Sequence, residues 1–157
     1  MDVRCRPIGF VRAGRSQPVD DDWGSERATI ELCAPYDARS LEGLAAFSHV
    51  EVLFFLHGVP EASIVAGVRQ PRGNPAWAKV GIFAQRAKSR PNRLGSTICR
   101  ILSVEGARLH VVGLDAIEGT PVLDLKPVMR EFLPREEVRQ PGWSHELMRG
   151  YWGSDPS

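Results

Sequence analysis

Apolar residues in this chain recur in short runs with a period close to two, and turn-forming residues interrupt every run. Thr29–Leu32 alternates polar and apolar side chains as a half-buried strand does. Pro7–Arg12 reads as a first strand, with Val80–Ala84 and Val122–Leu125 as further short ones. Val50–His57, VEVLFFLH, is too apolar and too short for a surface helix and reads as a central strand. Ser96–Val104 and Arg108–Leu114 form the clearest hairpin, joined around Glu105-Gly106.

Twelve prolines and fifteen glycines leave little room for long helices. Ser40, with Asp37 nearby, predicts a short capped helix over Leu41–Ala46. Arg15–Ser25 and Pro60–Ala76 read as long loops, the second broken by Pro71, Gly73, Asn74 and Pro75. Beyond Pro134 helical and loop signals mix, with Ser144–Arg149 the most helical stretch, before a polar tail over Gly153–Ser157. Six or seven short strands and one or two short helices predict a mainly β, single-domain fold, a closed or partly closed barrel, because closure removes exposed edges. Strand count alone leaves a sandwich open as well. Residues 1–135 are expected to form the barrel and 136–157 a C-terminal extension.

At 157 residues the chain suits one domain, and its 43% hydrophobic and 25% charged content is ordinary for a globular protein. A formal net charge of +1 supplies no global field to steer a polyanion, so any nucleic-acid contact must come from a local patch. The loop carrying Arg86, Lys88, Arg90 and Arg93 is the clear candidate. Cys5, Cys33 and Cys99 are far apart and never form C-x-x-C, which suggests neither a disulfide framework nor a zinc knuckle. The amino terminus lacks the apolar core of a signal peptide, and no run approaches about 18 apolar residues, so a cytoplasmic protein with no membrane partner is expected.

Two segments concentrate chemistry. Gly81–Thr97, GIFAQRAKSRPNRLGST, gathers cations and backbone donors, whereas Gly113–Pro127, GLDAIEGTPVLDLKP, gathers the carboxylates Asp115, Glu118 and Asp124. A pocket where the two meet would suit a ligand bearing both signs of charge. No G-x-G occurs, so the phosphate-cradling loop of a dinucleotide-binding fold is missing. His49 and His57 lie eight apart without further ligands at supporting spacing, and no metal is expected. Asp124 and Lys126, two apart, share one face of a strand.

These segments carry a family resemblance. FAQRAKSRPNRLGS resembles the F-A-T-R-S-P-x-R-P-N-P-I-G-x-S signature, and GLDAIEGTPVLDLKP resembles L-D-x-x-D-G-T-P-V-x-D-I-K-P. Both belong to the TsaA-like (TrmO, YaeB-like) family of S-adenosylmethionine-dependent tRNA methyltransferases. Pro7–Arg12 resembles that family's opening strand, and Leu41-Glu42-Gly43-Leu44 with Phe47-Ser48-His49-Val50 resembles its L-x-G-L-x-x-F-S-H-x block. The likeness spans roughly residues 6–128. It implies a β-barrel homodimer that binds S-adenosyl-L-methionine and N6-methylates threonylcarbamoyladenosine in the tRNA anticodon loop. It implies cofactor contacts at Gln17, His57, Gly58, Arg86, Ser96, Leu114, Asp115, Ala116 and Ile117, and nucleic-acid contacts at Lys88, Arg90, Asn92 and Arg93. Asp115, Asp124 and Lys126 are the catalytic candidates, with Glu118 and a backbone carbonyl as further acceptors for the amine proton. The pattern departs at Arg93, Leu94 and Val128, which stand where the family has proline, isoleucine and tyrosine, and larger bacterial members add a C-terminal domain. A small-molecule methyltransferase and a non-catalytic cofactor- or RNA-binding module remain the alternatives.

Overall fold

The computed structural model describes residues 1–153, so the last four positions of the expected tail lie outside the described residues. Six strands close into a barrel: β1 (Gly9–Ala13), β2 (Arg27–Leu32), β3 (His49–Phe55), β6 (Leu94–Glu105), β7 (Arg108–Val112) and β8 (Pro121–Pro127), in the order β1-β2-β7-β6-β3-β8. Every neighbouring pair is antiparallel, including β1 with β8 across the seam. The alternation read from the sequence is the barrel's inside and outside. Val50, Val52 and Phe54 of β3 point inward, as do Ala28, Ile30 and Leu32 of β2 and Leu109 and Val111 of β7. With only six strands the interior has room for side chains and nothing larger. A ligand must therefore bind at an end or on the outer wall.

Antiparallel closure also sorts the connections. Segments 14–26, 56–93 and 113–120 all leave from one end of the barrel, which we call the upper end. Segments 33–48 and 106–107 lie at the lower end. The basic and acidic stretches singled out in the sequence thus share an end because of strand direction alone.

Three local expectations need correction. No single helix spans 41–46: Asp37, rather than Ser40, caps a 3₁₀ turn over Ala38–Leu41, and a second turn covers Leu44–Ala46. Gly43, at φ 85°, separates them, since a left-handed residue cannot continue a right-handed helix. The strand expected over Val80–Ala84 is only β5 (Val80–Gly81), paired with β4 (Val68–Arg69), a strand inside the loop expected over Pro60–Ala76, in a ribbon separate from the barrel. Ile82–Ala84 instead forms a 3₁₀ turn that buries Ile82, and the Gln85 side-chain amide donates to the carbonyls of Arg69 and Val80, each at 3.0 Å. β3 stops at Phe55, so His49 and His57 do not share a strand.

Residues 142–152 pack on the rest of the chain. Helix α1 (Gly142–Met148) follows an exposed stretch over 129–142, and Gly150–Trp152 then lies along residues 22–24 at the upper end. Among the described residues, no helix is long and apolar enough to cross a membrane.

Leu109 is fully buried at the centre of the inward face. Leu109→Ala is expected to destabilise the fold by about 2–5 kcal/mol, read as a lowered denaturant midpoint with an unchanged slope.

Candidate functional site at the upper end of the barrel

Asp115 is the centre of the upper end. It leaves β7 two residues past the turn at Gly113, between Leu114 and Ala116, whose side chains both join the core. Those two apolar anchors hold the intervening residue over the barrel mouth. The Asp115 carboxylate accepts from two hydroxyls: Thr97 donates to Oδ1 and Tyr151 donates to Oδ2. Thr97 is an inward residue near the start of β6, buried among apolar neighbours, where an unpaired hydroxyl would be costly.

Positive charge flanks this carboxylate. Arg86 donates from Nη2 to the Ser96 carbonyl at 2.6 Å, one residue from Thr97. Arg72 pairs with Asp21 at 2.8 Å, and that pairing raises the Arg72 pKa. Arg15 donates to the carbonyls of Asp21 (2.8 Å) and Asp22 (2.7 Å), pairs with Glu26 at 3.1 Å and stacks 4.2 Å over the Trp23 ring. The Arg15 contacts brace the 14–26 loop from within, and the Arg72–Asp21 pair ties it to the 56–93 segment. Burial, the Asp115 charge and the hydrogen bond to it push the Tyr151 phenol well above its ordinary range, against the opposing pull of Arg86 and Arg72. Burial, with a further push from Asp115, raises the Cys99 thiol to about 12.

The cofactor-site expectations fall around this centre. Arg86, Ser96 and the 114–117 backbone lie at the mouth. Leu114 and Ala116 offer only their backbones, because their side chains fill the core. His57 follows β3, with its Nε2 3.8 Å from where a Cβ on Gly119 would lie, and Gly58 is exposed beside it. Gln17 is exposed in the 14–26 loop, where its carbonyl accepts from Val19 at 2.9 Å.

The cationic loop is less free than its composition suggests. Arg90 donates to the Gln85 carbonyl at 2.7 Å. Arg93 donates to the Val59 carbonyl at 2.9 Å and lies 4.7 Å from the Phe55 ring centre. Asn92 and Arg93 are both left-handed, at φ 63° and 49°, a sharp turn whose backbone asparagine tolerates well. Arg86 and Lys88 are the exposed cations of this group, and Lys88 lies 3.9 Å from the equally exposed Asp20.

Asp124 and Lys126 do share a face, the outer wall of β8, where they pair at 2.7 Å. That pairing raises the Lys126 pKa. The Asp124 side chain also accepts from its neighbour Leu125 N at 3.0 Å and borders a groove made with Ile8, Leu41 and Phe47. Asp124 is therefore held apart from Asp115. On the outer wall of β3, opposite Lys126, Glu51 accepts from Ser96 Oγ at 2.7 Å.

Residues 15–132 match the family model described as tRNA-methyltransferase O N-terminal domain. The chain belongs to that family. It is 43% identical over 102 residues to a human tRNA (adenine(37)-N6)-methyltransferase, a match covering 65% of this chain and 23% of the relative. It is 39% identical over 131 residues to a Methanothermobacter thermautotrophicus protein named "Probable S-adenosyl-L-methionine-binding protein", covering 81% and 90%. Among solved structures, a TrmO from Pseudomonas aeruginosa superposes with a TM-score of 0.73 at 30% identity, covering 91% of this chain and 62% of that one. The chain thus spans under a quarter of the human relative's length. Family membership agrees with the resemblance read from the two signature segments, and the closed barrel agrees with the expected fold.

Sequence reasoning did not single out Thr97, Tyr151, Arg72 or Glu51. Glu51 was detectable as a lone acid at an outward position of an apolar strand, and Thr97 as a polar residue at an inward one. Tyr151 had no such signal, since only the folded chain brings it beside Asp115.

The raised Tyr151 phenol carries a pH signature. The unfolded chain loses this proton near the ordinary value of about 10 while the folded chain keeps it, so stability is intact below about 10 and falls as pH climbs further. Tyr151→Phe is expected to flatten that decline, as read from denaturant midpoints across the alkaline range. Alkylation gives a second check: exposed Cys5 is expected to react at neutral pH while buried Cys99 stays unmodified until the fold is lost.

Proposed function

We propose that this chain is an S-adenosyl-L-methionine-dependent methyltransferase that N6-methylates threonylcarbamoyladenosine beside the tRNA anticodon. The observation that carries the reading is the meeting of Asp115 and the Arg86 loop at one end of a packed barrel. The names of the human and archaeal relatives point to the same reaction and cofactor. The donor set suits that cofactor. Arg86 would meet its carboxylate, Asp115 its ammonium or ribose hydroxyls, and the backbone of 114–117 and Ser96 its adenine edge. Gln17, His57 and Gly58 would complete the rim.

When bound, the cofactor supplies an electrophilic methyl group on a sulfonium, whose C–S electron pair leaves with sulfur as the new C–N bond forms. The protein's task is to align donor and acceptor and to exclude bulk water. The adenine N6 lone pair is delocalised into its ring, so an acceptor for the departing N–H proton aids attack. Asp115 suits that task better than Asp124 because it stands at the mouth beside the Arg86 loop, whereas Asp124 pairs with Lys126 on the outer wall of β8. Lys126 then acts on Asp124 rather than at the mouth. Lys88 is assigned to nucleic-acid phosphate, while Arg90, Asn92 and Arg93 shape the loop that presents it.

A cytoplasmic homodimer completes the reading. Ile98 and Leu94, both nearly half exposed on the outer wall of β6, are apolar surface that a second copy would cover.

Three measurements check these assignments. Arg86→Ala is expected to weaken S-adenosylmethionine binding at least tenfold, about 1.4 kcal/mol, by calorimetry. Asp115→Asn should weaken it too, whereas Asp124→Asn leaves it unchanged; equal losses would remove the distinction drawn between the two acids. Mass spectrometry of bulk tRNA from a deletion strain should show the methylated threonylcarbamoyladenosine lost, and its undiminished presence would end the tRNA reading.

A further inference from the structure

The C-terminal arm is fastened to the upper end by contacts independent of one another. Asp22 N donates to the Gly150 carbonyl at 3.1 Å, Trp23 N to Tyr151 O at 2.9 Å and Gly24 N to Trp152 O at 3.1 Å. Gly24 is required for this approach, because any Cβ there would collide with the Trp152 carbonyl. Further back, the Trp77 indole donates to Glu146 at 2.9 Å, and its ring meets that of Trp143 at 6.4 Å. The 129–142 stretch leading to α1 is exposed throughout. The fixed point of the arm is therefore its far end, and the side chain that end delivers to the mouth is Tyr151.

We propose that Tyr151 is a positioning residue of the cofactor site: with Thr97 it fixes the Asp115 carboxylate so that its remaining lone pairs face the ligand. This rests on the cofactor reading above and adds to it a residue from outside the matched 15–132 segment. An ionised carboxylate accepts about four hydrogen bonds, so two hydroxyls orient Asp115 without filling it. Both are donors here. Thr97 bonds from the barrel wall and Tyr151 from the arm, so rotation of the carboxylate breaks at least one bond to a charged acceptor. With its pKa raised by burial and the Asp115 charge, Tyr151 is protonated, hence a donor, at neutral pH. A neighbouring tyrosine that ionised would instead repel the carboxylate.

Calorimetric titration of S-adenosylmethionine into the full chain tests this. The series is wild type, Tyr151→Phe, Asp115→Asn and the double variant. Tyr151→Phe is expected to lose about tenfold in affinity. The double variant is expected to lose no more than Asp115→Asn alone, because Tyr151 acts only through that carboxylate. A tyrosine that merely props up the fold would give additive losses, and that result overturns the proposal. Unchanged or tighter binding by Tyr151→Phe overturns it as well while leaving the cofactor reading intact, tighter binding meaning that the arm obstructs the site. Failure of the wild type itself to bind ends both readings. Should Tyr151→Phe fold poorly by circular dichroism, Gly24→Ala dislodges the same arm without touching Asp115, and it must reproduce the affinity loss.

Discussion

Everything at the upper end follows from closing six antiparallel strands into a barrel too narrow to hold a ligand. Each strand must reverse direction relative to both neighbours, so alternate connections collect at opposite ends. Three of the five, 14–26, 56–93 and 113–120, fall together, and 33–48 and 106–107 lie opposite. Closure satisfies the backbone of all six strands and removes exposed edges, which frees these loops from any part in holding the sheet together. They can carry unmatched charge, left-handed residues and prolines at little cost to the fold.

Charge at the mouth is arranged so that each group is answered by another. Asp115 would be expensive above a hydrophobic core without partners, and the hydroxyls of Thr97 and Tyr151 offset that cost. Arg15, Arg90 and Arg93 are spent on loop carbonyls, so they stiffen the rim instead of presenting charge to solvent. A site built from main-chain carbonyls clamped by arginines is rigid where a flexible loop tip would not be. That rigidity suits recognition of a small zwitterion, since less ordering remains to be done on binding.

The outer wall offers a contrast. Glu51, Asp124 and Lys126 form a solvated strip on β3 and β8, where an ion pair is screened and contributes little to stability. Their sequence spacing is as regular as that of the mouth residues. Position relative to the barrel axis, and not residue type, separates the two sets of acids.

Strand positions, inward and outward faces, the hairpin at 105–106 and the two segments of opposite charge were legible along the chain because each depends on residues near one another in sequence. Period-two alternation encodes a buried face directly. The helix expected over 41–46 failed on Gly43, and the strand over 80–84 failed because burial of Ile82 outweighed local β-propensity. Local pattern also does not report which cations have carbonyl partners, so the basic loop read as freer than it is. Tyr151 lies 36 residues from Asp115. Its role depends on a ladder between residues 22–24 and 150–152, and such long-range pairing is decided by tertiary packing alone.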